Sequence, residues 1–349
     1  MIQRVGIAVC TLICCVLMCP VREARAQEPG HTPELLIVLA PQAHYGPFPT
    51  AADFMDMFQP DAPWKDAASH VQVFQISMSY LKDSSQEIID TIVADLKRRG
   101  IALGLAGGSI NISAKNSPCG GAGKLEGYAL ATGAEMVSQH IKAAHGELKY
   151  VAMDEPLYYG HYYTQREGKV DGCHSSIHEV MALSKETLSV YVREFPDVVI
   201  GDVEPTGHLD EEPGWQSDLT EWATEFRTAM GKPLAFLDLD VVWNRPHAVE
   251  DAVQIVHFAQ QLQQQGLLGK IGIIYNGAKQ DTSDKSWVAD ARKHVSLMEG
   301  KYELRPERVI FQSWHPNPTH ALPDSARDTL TSLVNFYFTP AVKQLRGEK

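Results

Sequence analysis

The sequence predicts an α/β protein built as a single (β/α)8 TIM barrel, and three observations carry that expectation. Short, nearly continuous apolar runs alternate with amphipathic stretches along the whole chain, as parallel strands under a cover of helices require. Eight such units follow one another with no linker, low-complexity tract or charge block between them. The connections after the apolar runs are long and those before them short. That asymmetry puts the working face at the C-terminal ends of the strands.

The elements follow in order. Leu35–Ala40 is the first strand, and the less regular stretch Ala51–Ala68 fills its connection. Strand two, Val71–Ser77, leads to helix Ser84–Arg99, which Gly100 ends as a left-handed C-terminal cap. Ile101–Leu105 is strand three; its glycine-rich end, Gly104–Gly108, opens the long loop Gly107–Tyr128 before helix Ala129–Ala144. Strand four, Tyr150–Asp154, gives way to a second long loop, Pro156–Ser176, and to helix Ile177–Phe195. Strand five is Val198–Glu204 with helix Gln216–Met230, capped by Gly231. Strand six is Leu234–Asp240 with helix Ala248–Gln265. Strand seven, Ile271–Asn276, pairs with helix Asp284–Gly300, and strand eight, Val309–Gln312, with helix Ser325–Tyr337.

Ahead of the barrel stands a leader. Arg4 precedes an apolar stretch from Val5 to Met18, and Ala24-Arg25-Ala26 is a small-x-small cleavage signal before Gln27. The expectation is a signal peptide over residues 1–26, a barrel over 27–349, and a periplasmic or secreted protein. Cys10, Cys14, Cys15 and Cys19 leave with the leader, so Cys119 and Cys173 remain, in the loops after strands three and four. Two cysteines in an oxidising compartment predict one disulfide, which contributes roughly 4 kcal/mol by loop entropy. The leader holds three basic residues and one acid, so removing it takes the net charge from -12 to about -14. A chain this acidic is a poor partner for nucleic acid or anionic membranes and accepts neutral or cationic substrates more readily.

Three of the strands end in acid: Tyr150-Val-Ala-Met-Asp154-Glu155-Pro156, Val198-Val-Ile-Gly-Asp202-Val-Glu204-Pro205 and Leu234-Ala-Phe-Leu-Asp238-Leu-Asp240. A carboxylate inside an apolar run costs several kcal/mol unless it is paired or opens into a cleft. Three such runs in register read as one polar site at the barrel's open end. Asp154-Glu155-Pro156 after strand four resembles the Asn-Glu-Pro signature of the retaining barrel glycosidases, in which that Glu is the acid/base. Strand eight ends Phe311-Gln312-Ser313-Trp314, similar to the tryptophan that floors the sugar subsite in those enzymes. The superfamily's nucleophile Glu at the end of strand seven has no counterpart in Tyr275-Asn276-Gly277.

The resemblance implies a glycoside hydrolase acting on an oligo- or polysaccharide, with Glu155 as acid. Its partner is Glu204 or Asp240. Glu204 is preferred because it lies on the adjacent strand, with retention as the expected outcome; Asp240 implies inversion. Strand alternation places Asp202 under Glu204 and Asp238 under Asp240. Asp154, Asp202 and Asp238 join the expected substrate-binding set, with Tyr158, Tyr159 and His161 in the aromatic loop, Trp243, Asn276, Gln312, Trp314 and His315. The loop aromatics can equally pack on one another, and Asp202 and Asp238 can equally be structural. Trp64, Trp215, Trp222 and Trp287 read as packing, and Glu126 as surface.

No cofactor and no metal are expected. The chain has no nucleophile elbow, Walker loop, zinc spacing or dinucleotide fingerprint. Two alternatives stand beside the hydrolase: a non-catalytic barrel that binds a saccharide or a cell-surface partner, and a divalent-metal lyase or hydrolase using Asp154, Asp202, Asp238 and Asp240 as oxygen ligands.

Overall fold

The computed structural model describes residues 33–38, 51–112, 125–164 and 171–348. The leader and Cys119 lie outside them, so the expected cleavage and the Cys119–Cys173 bridge do as well.

Eight parallel strands close into a barrel. They are β1 (Glu34–Val38), β2 (Val73–Ser77), β3 (Ala102–Gly107), β6 (Leu148–Asp154), β7 (Val199–Thr206), β8 (Leu234–Val241), β9 (Leu268–Tyr275) and β10 (Arg308–Gln312). The ring closes where β1 pairs with β10, Glu34 opposite Arg308 and Val38 opposite Gln312. Two further strands, β4 (Ile110–Asn111) and β5 (Tyr128–Ala129), form a short parallel ribbon outside the barrel. They sit in the β3 connection, where the sequence showed only a loop.

The helices among the described residues are α1 (Lys65–Ala68), α2 (Met78–Asp83), α3 (Gln86–Arg99), α4 (Ala131–Ala143), α5 (Ile177–Glu194), α6 (Trp215–Met230), α7 (Ala248–Gln264), α8 (Asp284–Val295), α9 (Leu330–Tyr337) and α10 (Pro340–Leu345). The seven that hydrophobic spacing suggested are present with shifted ends, as α3 to α9, and three short ones, α1, α2 and α10, join them. In α3, Ile89, Ile92, Val93 and Leu96 are buried at helical spacing, Ser85 accepts the Ile88 N–H, and Gly100 closes the end at φ 72°. A capping box of Ser176 and Glu179 opens α5. The expected helix Asp284–Gly300 breaks at Val295 into a π-helical turn, Ser296–Lys301. None of the described helices is long and apolar enough to cross a membrane.

Two apolar clusters form. The larger fills the space between barrel and helices, and Trp64, Trp215, Trp222 and Trp287 all belong to it. The smaller fills the barrel's interior: Val73, Ala152, Val203, Phe236, Ile274 and Ile310, with Trp314 packed against it. Because side chains alternate along a strand, this inner set fixes which acids face inward. Asp154 follows Ala152 inward on β6, and Asp238 and Asp240 follow Phe236 on β8. On β7 the inward residue is Val203, so Asp202 and Glu204 face out toward the helices. Gly201 belongs to the inward set as well, because a side chain there would overlap the Phe236 ring.

Candidate active site

Glu155 sits at the turn where β6 becomes helical. Its φ is +51°, left-handed in a residue other than glycine, a conformation costing about 1–2 kcal/mol that folds retain mainly at functional positions. The turn is held from both sides: the Glu155 N–H donates to the Val203 carbonyl at 3.0 Å, and the Tyr159 N–H donates to the Glu155 carbonyl at 3.0 Å. Left-handed backbone breaks strand alternation, so Glu155 does not simply point outward after Asp154. Its carboxyl lies within electrostatic reach of Glu126, Asp240, Asp154 and Glu204.

Glu204 has another partner. Its two oxygens accept the N–H groups of Leu157 (2.8 Å) and Tyr158 (3.1 Å), the first turn of the helical stretch after Glu155. A carboxylate at a helix start satisfies donors that have no intrahelical partner. The side chain is 1% exposed and lies on the outer face of β7. The expectation that Glu204 faces substrate is corrected by this register: its carboxylate grips the loop that carries Glu155.

Of the two readings open for Asp202 and Asp238, their contacts favour the structural one over substrate binding. Asp202 is fully buried and accepts the Trp222 indole N–H at 2.6 Å, in the layer between barrel and α6. Asp238 accepts both Nε (2.9 Å) and Nη2 (3.0 Å) of Arg308, which also reaches Glu34 at 3.1 Å. The guanidinium lies 3.5 Å from the centroid of Phe236. This Glu34–Arg308–Asp238 triad plugs the barrel's interior.

The loop aromatics mostly pack. Tyr158 stacks on His208 (5.4 Å, 25°), His161 donates from Nδ1 to the Ser175 carbonyl at 2.6 Å, and Tyr159 lies against Tyr163 at 4.9 Å. Two of them turn their hydroxyls to acids: Tyr159 donates to Glu126 Oε2 at 2.6 Å, and Tyr162 donates to Asp218. Trp243 stacks on His294 of α8 at 3.9 Å and 4°, within the helix layer, which takes its ring away from the barrel interior. Trp314 lies over the inner cluster with His315 beside it at 5.2 Å. Burial and Lys279 lower the His315 pKa to about 4, leaving the ring neutral. Gln312 and Asn276 continue the inward sets of Ile310 and Ile274, so both belong to the barrel mouth. Neither polar atom of the Asn276 amide, 1% exposed, has a partner among the described residues. Gln75 on β2 was passed over in the sequence: it is 3% exposed with an unpartnered Nε2. A polar residue inside the apolar run Val71–Ser77 was its signal.

Asp154, Glu155 and Asp240 therefore form the acidic centre of the mouth. Burial is the main reason that the pKa of each rises, and mutual repulsion adds to it: Glu126, Asp240 and Asp154 act on Glu155, and Glu126 and Asp154 on Asp240. Oδ1 of Asp240 is buried without a partner. Asp154 is raised from 3.8 to about 7, by burial and then by Glu126. Among the described residues no lysine or arginine pairs with any of the three, and no group of three His, Cys, Asp or Glu side chains is arranged to hold a metal ion. The four aspartates of the metal alternative are dispersed: Asp202 faces α6, Asp238 is tied to Arg308, and only Asp154 and Asp240 reach the mouth.

The Asp154 shift predicts a pH effect on stability. The folded chain keeps a proton that the unfolded chain releases above pH 3.8, so stability falls as pH rises from about 4 to 7 and is level above that. At 1.36 kcal/mol per unit, reduced for the partial solvent access of this carboxyl, the loss is about 2 kcal/mol. Urea midpoints at pH 4.5 and 7.5 should show a smaller decline in Asp154→Asn than in the wild type. An equal decline in both would remove Asp154 as its source.

No family model and no curated protein matches this sequence. Solved structures resemble it at low identity. The family 1 β-glucosidase from Thermotoga maritima is 12% identical over 92% of this chain and 99% of its own, with a TM-score of 0.48. The catalytic domain of a hyperthermophilic chitinase from Pyrococcus furiosus is 14% identical over 91% and 97%, at 0.43. A D-psicose 3-epimerase is 13% identical over 89% and 99%, also at 0.43. These similarities run the length of the barrel and assign this chain no activity.

Proposed function

We propose that this protein is an exported hydrolase of glycosidic bonds, with Glu155 as general acid and Asp240 as the partner carboxylate. One observation carries the reading: Asp154, Glu155 and Asp240, on strands separated by more than eighty residues of sequence, gather at the barrel mouth with no paired cation among the described residues, beside the inward-lying Trp314. Glycoside hydrolysis needs one carboxyl protonated and one ionised. Burial and the neighbouring acids keep the proton on Glu155, ready for the leaving oxygen. Asp240 takes the proton of the attacking water. Trp314 offers an apolar face to a sugar ring, and the Asn276 amide, Gln75 and Gln312 offer hydrogen bonds to hydroxyls.

The partner assignment differs from the sequence-based preference for Glu204, whose oxygens are engaged by backbone. Adjacent strands lie about 4.8 Å apart, so the ends of β6 and β8 are about 9–10 Å apart, near the roughly 6.5–9.5 Å carboxyl gap of inverting enzymes. On a substrate identified by release of reducing ends from a polysaccharide panel, Asp240→Asn should cost at least tenfold more rate than Glu204→Gln. Proton NMR of the wild-type product should show an inverted anomer. A retained anomer with the opposite ranking returns the role to Glu204. Saccharide binding without turnover on any member of the panel would favour a non-catalytic barrel.

Export carries the Cys119–Cys173 bridge with it in this proposal. The mass of the mature, non-reduced protein should be two hydrogens below that of the reduced form and should begin at Gln27; two free thiols would count against both.

A further inference from the structure

The ribbon of β4 and β5 brings one more acid to the mouth. Gly127 adopts φ +83°, and a Cβ there would lie 3.1 Å from Tyr159 Cβ, 3.3 Å from the Glu155 carbonyl oxygen and 3.4 Å from that of Asp154. The backbone next to Glu126 is therefore seated directly on the residues that carry the acidic centre. The Tyr159 hydroxyl fixes the Glu126 side chain at Oε2, while the residue as a whole stays exposed at the rim. Glu126, Asp154, Glu155 and Asp240 thus make a rim of four carboxylates with no paired cation among the described residues.

By strand alternation the buried Asn276 amide and Gln75 Nε2, unpartnered among the described residues, follow Ile274 and Val73 on the inward face of the barrel, as Asp154 and Asp240 do on theirs. Each buried polar group left unsatisfied costs about 1–3 kcal/mol, so both are groups that a ligand would satisfy. Amides suit hydroxyls; uncompensated carboxylates suit a positive charge. A ligand that supplies both is an amino sugar with its nitrogen free.

Resting on the hydrolase reading, we propose that Glu126 is a substrate-recognition residue and that the saccharide held at this mouth carries an ammonium group, as an unacetylated amino-sugar oligomer does. The cation supplies a charge that the described residues of the rim do not provide, and Glu126, the exposed member, meets it first.

The test compares two hexamers of one skeleton by titration calorimetry: the glucosamine hexamer and its fully N-acetylated counterpart, against the intact protein at low and moderate salt. The glucosamine hexamer should bind at least tenfold more tightly and should release protons from the rim, seen as a binding heat that varies with the ionisation enthalpy of the buffer. Glu126→Gln should reduce the preference at least fivefold. Asp197→Asn, which removes an equal charge from the exposed turn between α5 and β7 at the opposite end of the barrel, should leave it unchanged. Equal affinity for the two hexamers, binding of neither, or an equal loss in Asp197→Asn would overturn the inference. The hydrolase reading is decided separately, by reducing-end release and by the Asp240 and Glu155 variants. Turnover of neutral saccharides alone would sustain it while this inference fell.

Discussion

Glu155→Gln is expected to lower turnover by about 10²–10⁴-fold while the protein stays folded and still binds saccharide. The substitution keeps the shape of the side chain and removes the transferable proton. It should not disturb the left-handed turn, because the two hydrogen bonds that hold it use the backbone of residue 155. Removing one buried acid from a crowd of like charges should also raise stability slightly, since the neighbours that repel Glu155 lose a competitor. Activity and stability are thus predicted to move in opposite directions, which separates a catalytic loss from a folding defect. Steady-state rates on the hydrolysed substrate, read beside urea denaturation, check both. A variant retaining more than a tenth of the wild-type rate on a substrate with a poor leaving group excludes Glu155 as the acid.

Arg308→Met should produce the largest loss of stability, about 3–5 kcal/mol. Arg308 is fully buried and is the shared partner of Asp238 and Glu34. Losing it leaves two acids in the barrel interior, of which Glu34 keeps Lys270, at 2.9 Å, and the Tyr150 hydroxyl. They must then ionise unpaired or bind protons, so the deficit should shrink as pH is lowered toward 5. The double variant Arg308→Met/Asp238→Leu should recover a large part of it, because a matched apolar pair carries no desolvation penalty. Denaturation at two pH values decides the matter. A single variant as stable as the wild type would mean that the triad contributes nothing net.

The barrel was legible in the sequence because its signals are local. An apolar run of strand length, a helical period and a glycine stop are each written within about twenty residues. The acids were legible as acids for the same reason: Asp154, Glu155 and Asp240 stand out inside apolar runs. The side of the sheet that each occupies was not legible. Asp202 and Glu204 alternate correctly with each other, but whether they face in or out depends on Gly201 making room for Phe236, a contact between two strands. Likewise Asp238 could be read as lying one layer below Asp240, but its partner Arg308, seventy residues later, could not. Glu126 gave no signal at all, since nothing in a long loop marks the residue that will touch Tyr159.

The Arg308 plug has a consequence for traffic through the molecule. With Arg308 and Asp238 in the interior, and Val73, Phe236, Ile274 and Ile310 filling the space around them, the barrel is a cup with a solid base. Whatever binds beside Trp314 must leave by the route it came. A long chain could not thread the axis: it could only lie across the rim or offer one end to the cup.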